Sequence, residues 1–196
     1  MSFIQMKPGT LLSPTPVVMI SCASEDIRPN IITLAWVGTV NSDPPMVSIS
    51  VRPERYSHHI IRDTGEFVVN LVSRELVQAA DLCGVKSGSD LDKFELCGLD
   101  PVPAGQMRYA PAIAQSPAYL ACSVRQTLEL GSHTMFLGEI VNMGVREDLL
   151  EASGKIDFIK AGLVAYCHGE YTGLTQPEGF FGFSVARPEV LKRRLR

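Results

Sequence analysis

The segment Met46–Pro53, MVSISVRP, changes polarity at nearly every step. Val47, Ile49 and Val51 share one side, and Ser48, Ser50 and Arg52 the other. A period of two gives a β-strand two distinct faces and gives an α-helix none. A strand of this kind needs a core under its apolar face and other strands along its edges. Upstream, TPVVMISCAS (Thr15–Ser24) and NIITLAWVGTV (Asn30–Val40) are β-rich, and the turn NSDPP (Asn41–Pro45) closes the second. A hairpin joining Asn30–Val40 to Met46–Pro53 follows, with a turn longer than the tight two-residue type.

The rest of the chain supplies more strands and a few short helices. RYSHHIIRDTG (Arg55–Gly65) predicts a helix stopped by Gly65, and EFVVNLV (Glu66–Val72) returns to strand. SRELVQAADLCG (Ser73–Gly84) predicts a short amphipathic helix with Ser73 as N-cap and Gly84 as stop. SGSDLDKFELCGL (Ser87–Leu99) reads as a Gly/Ser loop opening a second short helix, capped near Ser89 or Asp90. Beyond a Pro-rich connection (Asp100–Pro117) come three long strand-like stretches, AYLACSVRQTLEL, HTMFLGEIVNMGV and IKAGLVAYCHGEYTGL. The first two are close enough to form a hairpin. Strands outnumber helices without regular β-α-β alternation, so an antiparallel barrel with peripheral helices fits better than a doubly wound sheet.

The 196 residues suit one domain spanning 1–196, and 45% hydrophobic with 20% charged residues is ordinary globular composition. A net charge of -3 offers no broad basic field for nucleic acid or an anionic membrane. The one basic cluster, LKRRLR (Leu191–Arg196), reads as a solvated helix end or a frayed arm. Five cysteines, odd in number and scattered, argue for reduced thiols in a cytoplasmic protein, and against a zinc site or a disulfide frame. The N-terminus lacks a signal-peptide pattern, and no apolar run reaches the roughly 18 residues of a membrane span.

No nucleophile elbow, P-loop or dinucleotide fingerprint is present, and GFFGFS (Gly179–Ser184) reads as a packed loop or strand edge rather than a phosphate loop. Four places could carry chemistry, each with a plainer alternative. Trp36, the only tryptophan, is either a buried anchor or a wall for a flat ring. Arg52, Arg55 and Ser57, at a strand-to-helix junction, are either solvated charge with a cap or an anion site. Lys93 reads locally as a surface helix lysine. His133, between Gly131–Ser132 and an apolar strand, is either a rim residue or a titratable functional group. Together they make up the parts of a flavin site: an apolar wall, a cationic end and a few polar groups.

Their order along the chain sharpens this. NIITLAWVGTVNSDPPMVSISVRPERYSHHIIRDTGEFVVNL, followed downstream by SGSDLDKF and GSHTMFLGEI, resembles the flavin reductase-like family of FMN-binding split barrels over about Thr15–Gly173, and within it the flavoredoxin-like branch. The resemblance implies a mainly β, antiparallel Greek-key split β-barrel with short peripheral helices. It also implies a homodimer with one noncovalent FMN per subunit near the interface. It assigns Asn30 and Trp36 to the cofactor, with Thr33, Leu34 and Ala35 lining the isoalloxazine through their backbone. Ser57 stands where the branch has a phosphate-binding Thr, Lys93 matches the DKF lysine, and His133 matches the histidine of G-[DS]-H-T. Tyr166 replaces a Phe, adding a hydroxyl. Ser50, Arg52 and Arg55 are added from their place beside this set.

The resemblance implies a flavoprotein oxidoreductase taking electrons from NADH or NADPH and passing them to a free flavin or a redox protein, with His133 hydrogen-bonding the flavin or its donor. An electron carrier without its own nicotinamide site is the second reading. A split-barrel module holding another ligand is the third.

Overall fold

The structure, a computed structural model, describes residues 1–194. Residues 1–14 are exposed and carry no strand or helix. Twelve strands and four α-helices follow: β1 (Thr15–Pro16), β2 (Val18–Cys22), β3 (Asn30–Leu34), β4 (Val37–Ser42), β5 (Pro45–Val51), α1 (Tyr56–Thr64), β6 (Glu66–Leu71), α2 (Val77–Val85), α3 (Lys93–Cys97), β7 (Pro101–Val102), β8 (Ala112–Ile113), β9 (Ala118–Glu129), β10 (Thr134–Val145), β11 (Val164–Cys167), β12 (Glu170–Gly173) and α4 (Pro188–Arg194). Seven strands form one antiparallel sheet in the order β3-β2-β6-β9-β10-β5-β4, and β1-β11-β12 form a second. The fold is the mainly β, antiparallel Greek-key split barrel with short peripheral helices.

The alternation in Met46–Pro53 does what it predicts: Val47, Ile49 and Val51 are buried on β5 beside Ile20, Ile32, Phe67, Val69 and Phe136. Helix α1 adds Ile60 and Ile61 to this barrel core. Gly65 ends α1 in the left-handed conformation at φ 68, and its N–H donates to Ile61 O. β2 is buried at all five positions, because its other face packs under α2 and α3 in a second core containing Met19, Ile31, Ala80, Cys83 and Phe94.

The segment Asn30–Val40 is not one strand. It bends at Ala35–Trp36, and its halves become β3 and β4, the two edges of the seven-stranded sheet. One bend thus joins the sheet's first and last strands, and Ser50 N–H donates to Trp36 O at 3.1 Å beside it. The β4–β5 hairpin is tighter than expected: Ser42 pairs directly with Pro45, leaving only Asp43 and Pro44 in the loop. Thr15–Ser24 is likewise divided, with β1 pairing β11 while β2 pairs β3 and β6.

Helix starts differ from the sequence expectation. Ser73 caps nothing: it bridges Leu163, its hydroxyl is buried without a hydrogen-bond partner among the described residues, and a 3-10 turn at Arg74–Leu76 precedes α2. Gly84 does not stop α2, which runs to Val85. α3 is capped by Asp92, whose carboxylate accepts from Glu95 N–H at 3.1 Å, rather than by Ser89 or Asp90. The third long stretch is a hairpin, β11–β12, turning at His168–Gly169. Gly179–Ser184 is not a strand edge, and it is packed only in part: Gly179 and Phe180 are half-buried, and the Phe180 and Phe183 rings lie 6.3 Å apart. It is a loop entering a 3-10 turn at Phe183–Val185, with Phe181 fully exposed. The Pro-rich connection is held by side chains: Glu66 accepts from the backbone N–H groups of Arg108, Tyr109 and Ala110, and Asn70 accepts from Ile113 N–H. α4 covers most of the basic tail, whose Leu195 and Arg196 lie outside the described residues.

Candidate functional site

β3 ends the sheet order, so one edge of its backbone has no strand beside it. Two clefts lie at its two ends. At Asn30, β3 meets the start of α1 and the loop after α2. The cleft there, about 140 Å3, is lined by Asn30, Arg55, Ser57, Lys86, Gly88 and Lys93 among others.

Each of its polar groups has a physical reason to be where it is. Lys93, read from local sequence as a surface lysine, is 3% exposed. The Asp92 cap aims α3 at β3, and the Lys93 ammonium donates to Ile31 O at 2.7 Å and to Cys83 O at 2.8 Å. An ammonium has three donors, so one remains. Burial holds this ammonium below its ordinary pKa range, with the Cys83 and Cys22 thiols acting in the opposite direction. Asn30 is also buried, and its amide donates to the buried Ser57 Oγ at 2.8 Å. Ser57 acts beyond this pair: burial pushes the Cys22 thiol up to about 12, and the Ser57 hydroxyl is the main influence opposing that rise.

Gly88 closes the cleft over Asn30. A Cβ on it would stand 1.9 Å from Asn30 Oδ1, so only glycine lets the loop approach this closely. Arg55 occupies the N-cap position of α1, and residues 54–57 bring the helix N-terminus to the wall. Arg55, Lys86 and Lys93 face a single carboxylate, Glu54, in a chain whose net charge is -3. Cationic side chains, hydroxyls and a helix N-terminus converging on one small cleft suit a phosphate-sized anion.

At the other end of β3, Trp36 is 45% exposed, which excludes the buried-anchor reading. Its ring lies 4.6 Å from that of His133, tilted by 40°. His133 sits just before β10, and its Nδ1 is 2.9 Å from Ser132 Oγ. Desolvation, then the charge of Arg52, lowers the His133 pKa, with Glu54 acting in the opposite direction. Trp36 and Tyr166 line a second cleft of about 350 Å3 together with Thr10, Leu12, Thr15 and His168.

The sequence-predicted residues therefore fall into two groups. Asn30, Arg55, Ser57 and Lys93 share the first cleft, and Trp36 and Tyr166 share the second, with His133 against Trp36. Thr33, Leu34 and Ala35 are the chain between them. The Thr33 hydroxyl donates to Ala80 O and fixes β3 to α2, which leaves the residue's backbone, not its side chain, for a ligand. Arg52 is exposed and paired with Glu54 at 3.6 Å, and Ser50 holds the bend through its backbone. Gly88, Lys86 and His168 escaped the sequence reading. Gly88 lay within the quoted SGSD loop, and His168, at φ 45, is the non-glycine residue with positive φ in the β11–β12 turn. No helix among the described residues is long and apolar enough to cross a membrane.

Known proteins share this arrangement of elements. Flavoredoxin of Desulfovibrio vulgaris (Miyazaki F) superposes with a TM-score of 0.85 at 31% identity, covering 91% of this chain and 97% of that one. Flavoredoxin of Methanosarcina acetivorans gives 0.86 at 28% identity, covering 95% and 100%. An uncharacterized protein of Archaeoglobus fulgidus is 33% identical over 116 residues, 59% of this chain and 65% of its own, so the match spans just under two thirds of that relative. The family model described as "Flavin reductase like domain" matches residues 11–175. The chain belongs to the flavin reductase-like domain family.

Proposed function

We propose that this chain is an FMN-binding oxidoreductase of the flavin reductase type, with the flavin lying along the open edge of β3. The observation that carries this reading is the buried Lys93 ammonium, with one donor left over, in a cationic cleft at one end of β3, and the exposed Trp36 against the half-buried His133 at the other. From Asn30 to Leu34, β3 runs roughly 13 Å at the usual strand rise, and the bend then carries the chain two residues further to Trp36. That span accommodates a three-ring system with its ribityl phosphate.

The residues present fit FMN. Lys93, Arg55 and Ser57 would hold the phosphate, with Asn30 fixing the Ser57 hydroxyl and Gly88 leaving the space. Thr33, Leu34 and Ala35 would meet the ring system through backbone groups, and Trp36 would cover an apolar face. The bound flavin supplies two-electron chemistry, taking up a hydride and releasing electrons to an acceptor. His133, whose pKa is lowered by desolvation and by Arg52, is placed to hold or release one proton at its ring beside Trp36. The chain has no adenosine-binding Gly-rich turn, which favours FMN over FAD. The homodimer, the cytoplasmic location, and NADH or NADPH as donor belong to the same proposal. A free flavin or a redox protein would be the acceptor.

An electron-carrier role is the second reading, favoured by the likeness to two flavoredoxins. One experiment separates them. The purified protein is reconstituted with flavin, the bound species is identified by chromatography after heat release, and NADH, NADPH or a reduced redox protein is mixed in a stopped-flow cell. Bleaching of an FMN band by a nicotinamide supports the enzyme, and bleaching only by the redox protein supports the carrier. Bound FAD, or no bound flavin, overturns both.

A further inference from the structure

Two of the five cysteines lie side by side. Cys83 Sγ on α2 and Cys97 Sγ on α3 are 4.0 Å apart. Their surroundings differ. Cys83 is buried and lines the Lys93 cleft, and its carbonyl accepts from the Lys93 ammonium. Cys97 is half-buried and opens onto a separate groove of about 290 Å3 between α2 and α3, lined by Leu76, Ala79, Leu82, Leu96 and Leu99. One thiol thus faces outward and the other inward, and their sulfurs touch.

We propose that Cys97 and Cys83 form a peroxide-oxidisable dithiol, in which Cys97 is the sulfur attacked from solvent and Cys83 the sulfur that resolves it into a disulfide. The Cys97 sulfur attacks one oxygen of hydrogen peroxide. An S–O bond forms, the O–O bond breaks, and one water leaves. The Cys83 sulfur then attacks the Cys97 sulfur. The S–S bond forms, the S–O bond breaks, and the departing hydroxide takes the Cys83 proton as a second water. The two thiols lose two electrons in all, and the peroxide gains them.

The geometry favours this order. A disulfide needs the sulfurs at about 2.05 Å, so they must close by about 2 Å. α3 is only five residues long and ends at Gly98 in the left-handed conformation, so it is a small unit to move. Burial pushes the Cys83 thiol up to about 12, which disfavours its thiolate and leaves the more accessible Cys97 as the first sulfur to meet peroxide. Lys93 lies one helical turn before Cys97 on α3, and its ammonium already bonds Cys83 O. The disulfide would tie α3 to α2 a second time, across the wall of the Lys93 cleft. Reversible intracellular disulfides of this kind are usually redox-sensing rather than structural. The chemistry requires no flavin, so it stands or falls independently of the proposed function.

The test treats the full chain, as purified and with or without flavin, with a small excess of hydrogen peroxide, then alkylates and digests it. The expected product has lost two hydrogens, retains three alkylatable thiols of the original five, and yields one cross-linked peptide pair containing Cys83 and Cys97. Dithiothreitol restores all five. Cys97→Ser should abolish the cross-link. Cys83→Ser should leave Cys97 with one added oxygen that a sulfenic-acid reagent captures. The oxidised chain should melt several degrees higher than the reduced one, because the bridge closes a loop of this length. Cys97 driven to sulfinic acid in the parent protein without a cross-link overturns the proposal. So does a disulfide between chains or through Cys167, or Cys97 still fully alkylatable after Cys167 has been oxidised.

Discussion

The two ends of β3 are built in opposite ways. Around Asn30 the inner side chains are buried and tied to fixed partners, Lys93 to two carbonyls and Asn30 to Ser57, with the loop at Gly88 pressed against Asn30 and Arg55 and Lys86 exposed at the rim. Around Trp36 the surface is aromatic and open, and the His133 ring is steadied by Ser132 Oγ and by its contact with the Trp36 ring. The first arrangement suits a charge that must be held without reorganisation. The second suits a surface where partners come and go. Substitutions at the Asn30 end should therefore cost both stability and binding. Those at the Trp36 end should cost binding or rate with little loss of stability.

Lys93→Met is the largest test of that contrast. It leaves Ile31 O and Cys83 O without a donor, which costs about 2–6 kcal/mol of folding stability, at about 1–3 kcal/mol per buried unsatisfied group. If Lys93 holds the phosphate as proposed, the substitution also removes a charge-assisted hydrogen bond, for about 10- to 150-fold weaker FMN binding. Urea melts and flavin titration read the two effects separately. Stability and affinity both unchanged would return Lys93 to an ordinary surface role.

Gly88→Ala should come next. Its Cβ would fall 1.9 Å from Asn30 Oδ1, so either the loop moves or the Asn30–Ser57 bond breaks. Overpacking of this kind costs about 1–3 kcal/mol. FMN affinity should fall while the Trp36 emission of the apo-protein stays as in the parent. A variant that binds FMN normally would separate the Gly88 loop from the cofactor.

Trp36→Phe probes the open end. With Trp36 45% exposed, apo stability should change by no more than about 0.5 kcal/mol. FMN affinity should fall by about 0.5–1.5 kcal/mol, the scale of an aromatic contact. Because Trp36 is the only tryptophan, its emission in the parent protein should be strongly quenched on titration with FMN. Emission that ignores saturating FMN would place the flavin elsewhere.

What the sequence made legible follows the range of the forces involved. Strand alternation in Met46–Pro53, the Gly65 stop and the β9–β10 hairpin are local, and they came out as read. The break at Ala35–Trp36 has no local cause, since TLAWVG carries no breaker there. The chain bends because the sheet's two edges have to meet. Lys93 was misread for a related reason: a five-residue helix is too short to display a periodic face, so burial by tertiary contact leaves no pattern. Ser73 has the composition of a cap, but its backbone bridges Leu163 instead. Trp36, Arg52, Arg55, Ser57, Lys93 and His133 stood out by residue type, and a family resemblance joined them into one candidate set. Their division into a closed polar end and an open aromatic end could only come from coordinates.

The smallest expected effects concern two histidines near Thr134, and they carry the same contrast. His58, buried on α1, has Nε2 2.9 Å from Thr134 Oγ1, while His133 is the next residue along the chain from Thr134 and is half exposed. Desolvation is the first cause lowering both pKa values, followed by Arg62 for His58 and Arg52 for His133. A histidine whose folded pKa is depressed binds its proton more readily in the unfolded chain. Its contribution to stability is present above about pH 6.5 and is lost as pH falls through the folded value. Chemical melts between pH 7 and pH 5 should show a loss of stability, and His58→Gln should flatten it. His133→Asn should leave that slope nearly unchanged, because its ring is only partly removed from water. Its effect should appear in rate instead. In the parent protein, protonation of His133 adds positive charge beside Trp36, so flavin reduction by the proposed nicotinamide donor should quicken as pH falls through the depressed His133 value. In His133→Asn that rise should disappear. If His58→Gln changed the rate profile and His133→Asn changed the melts, the assignment of a holding end and an exchanging end would be reversed.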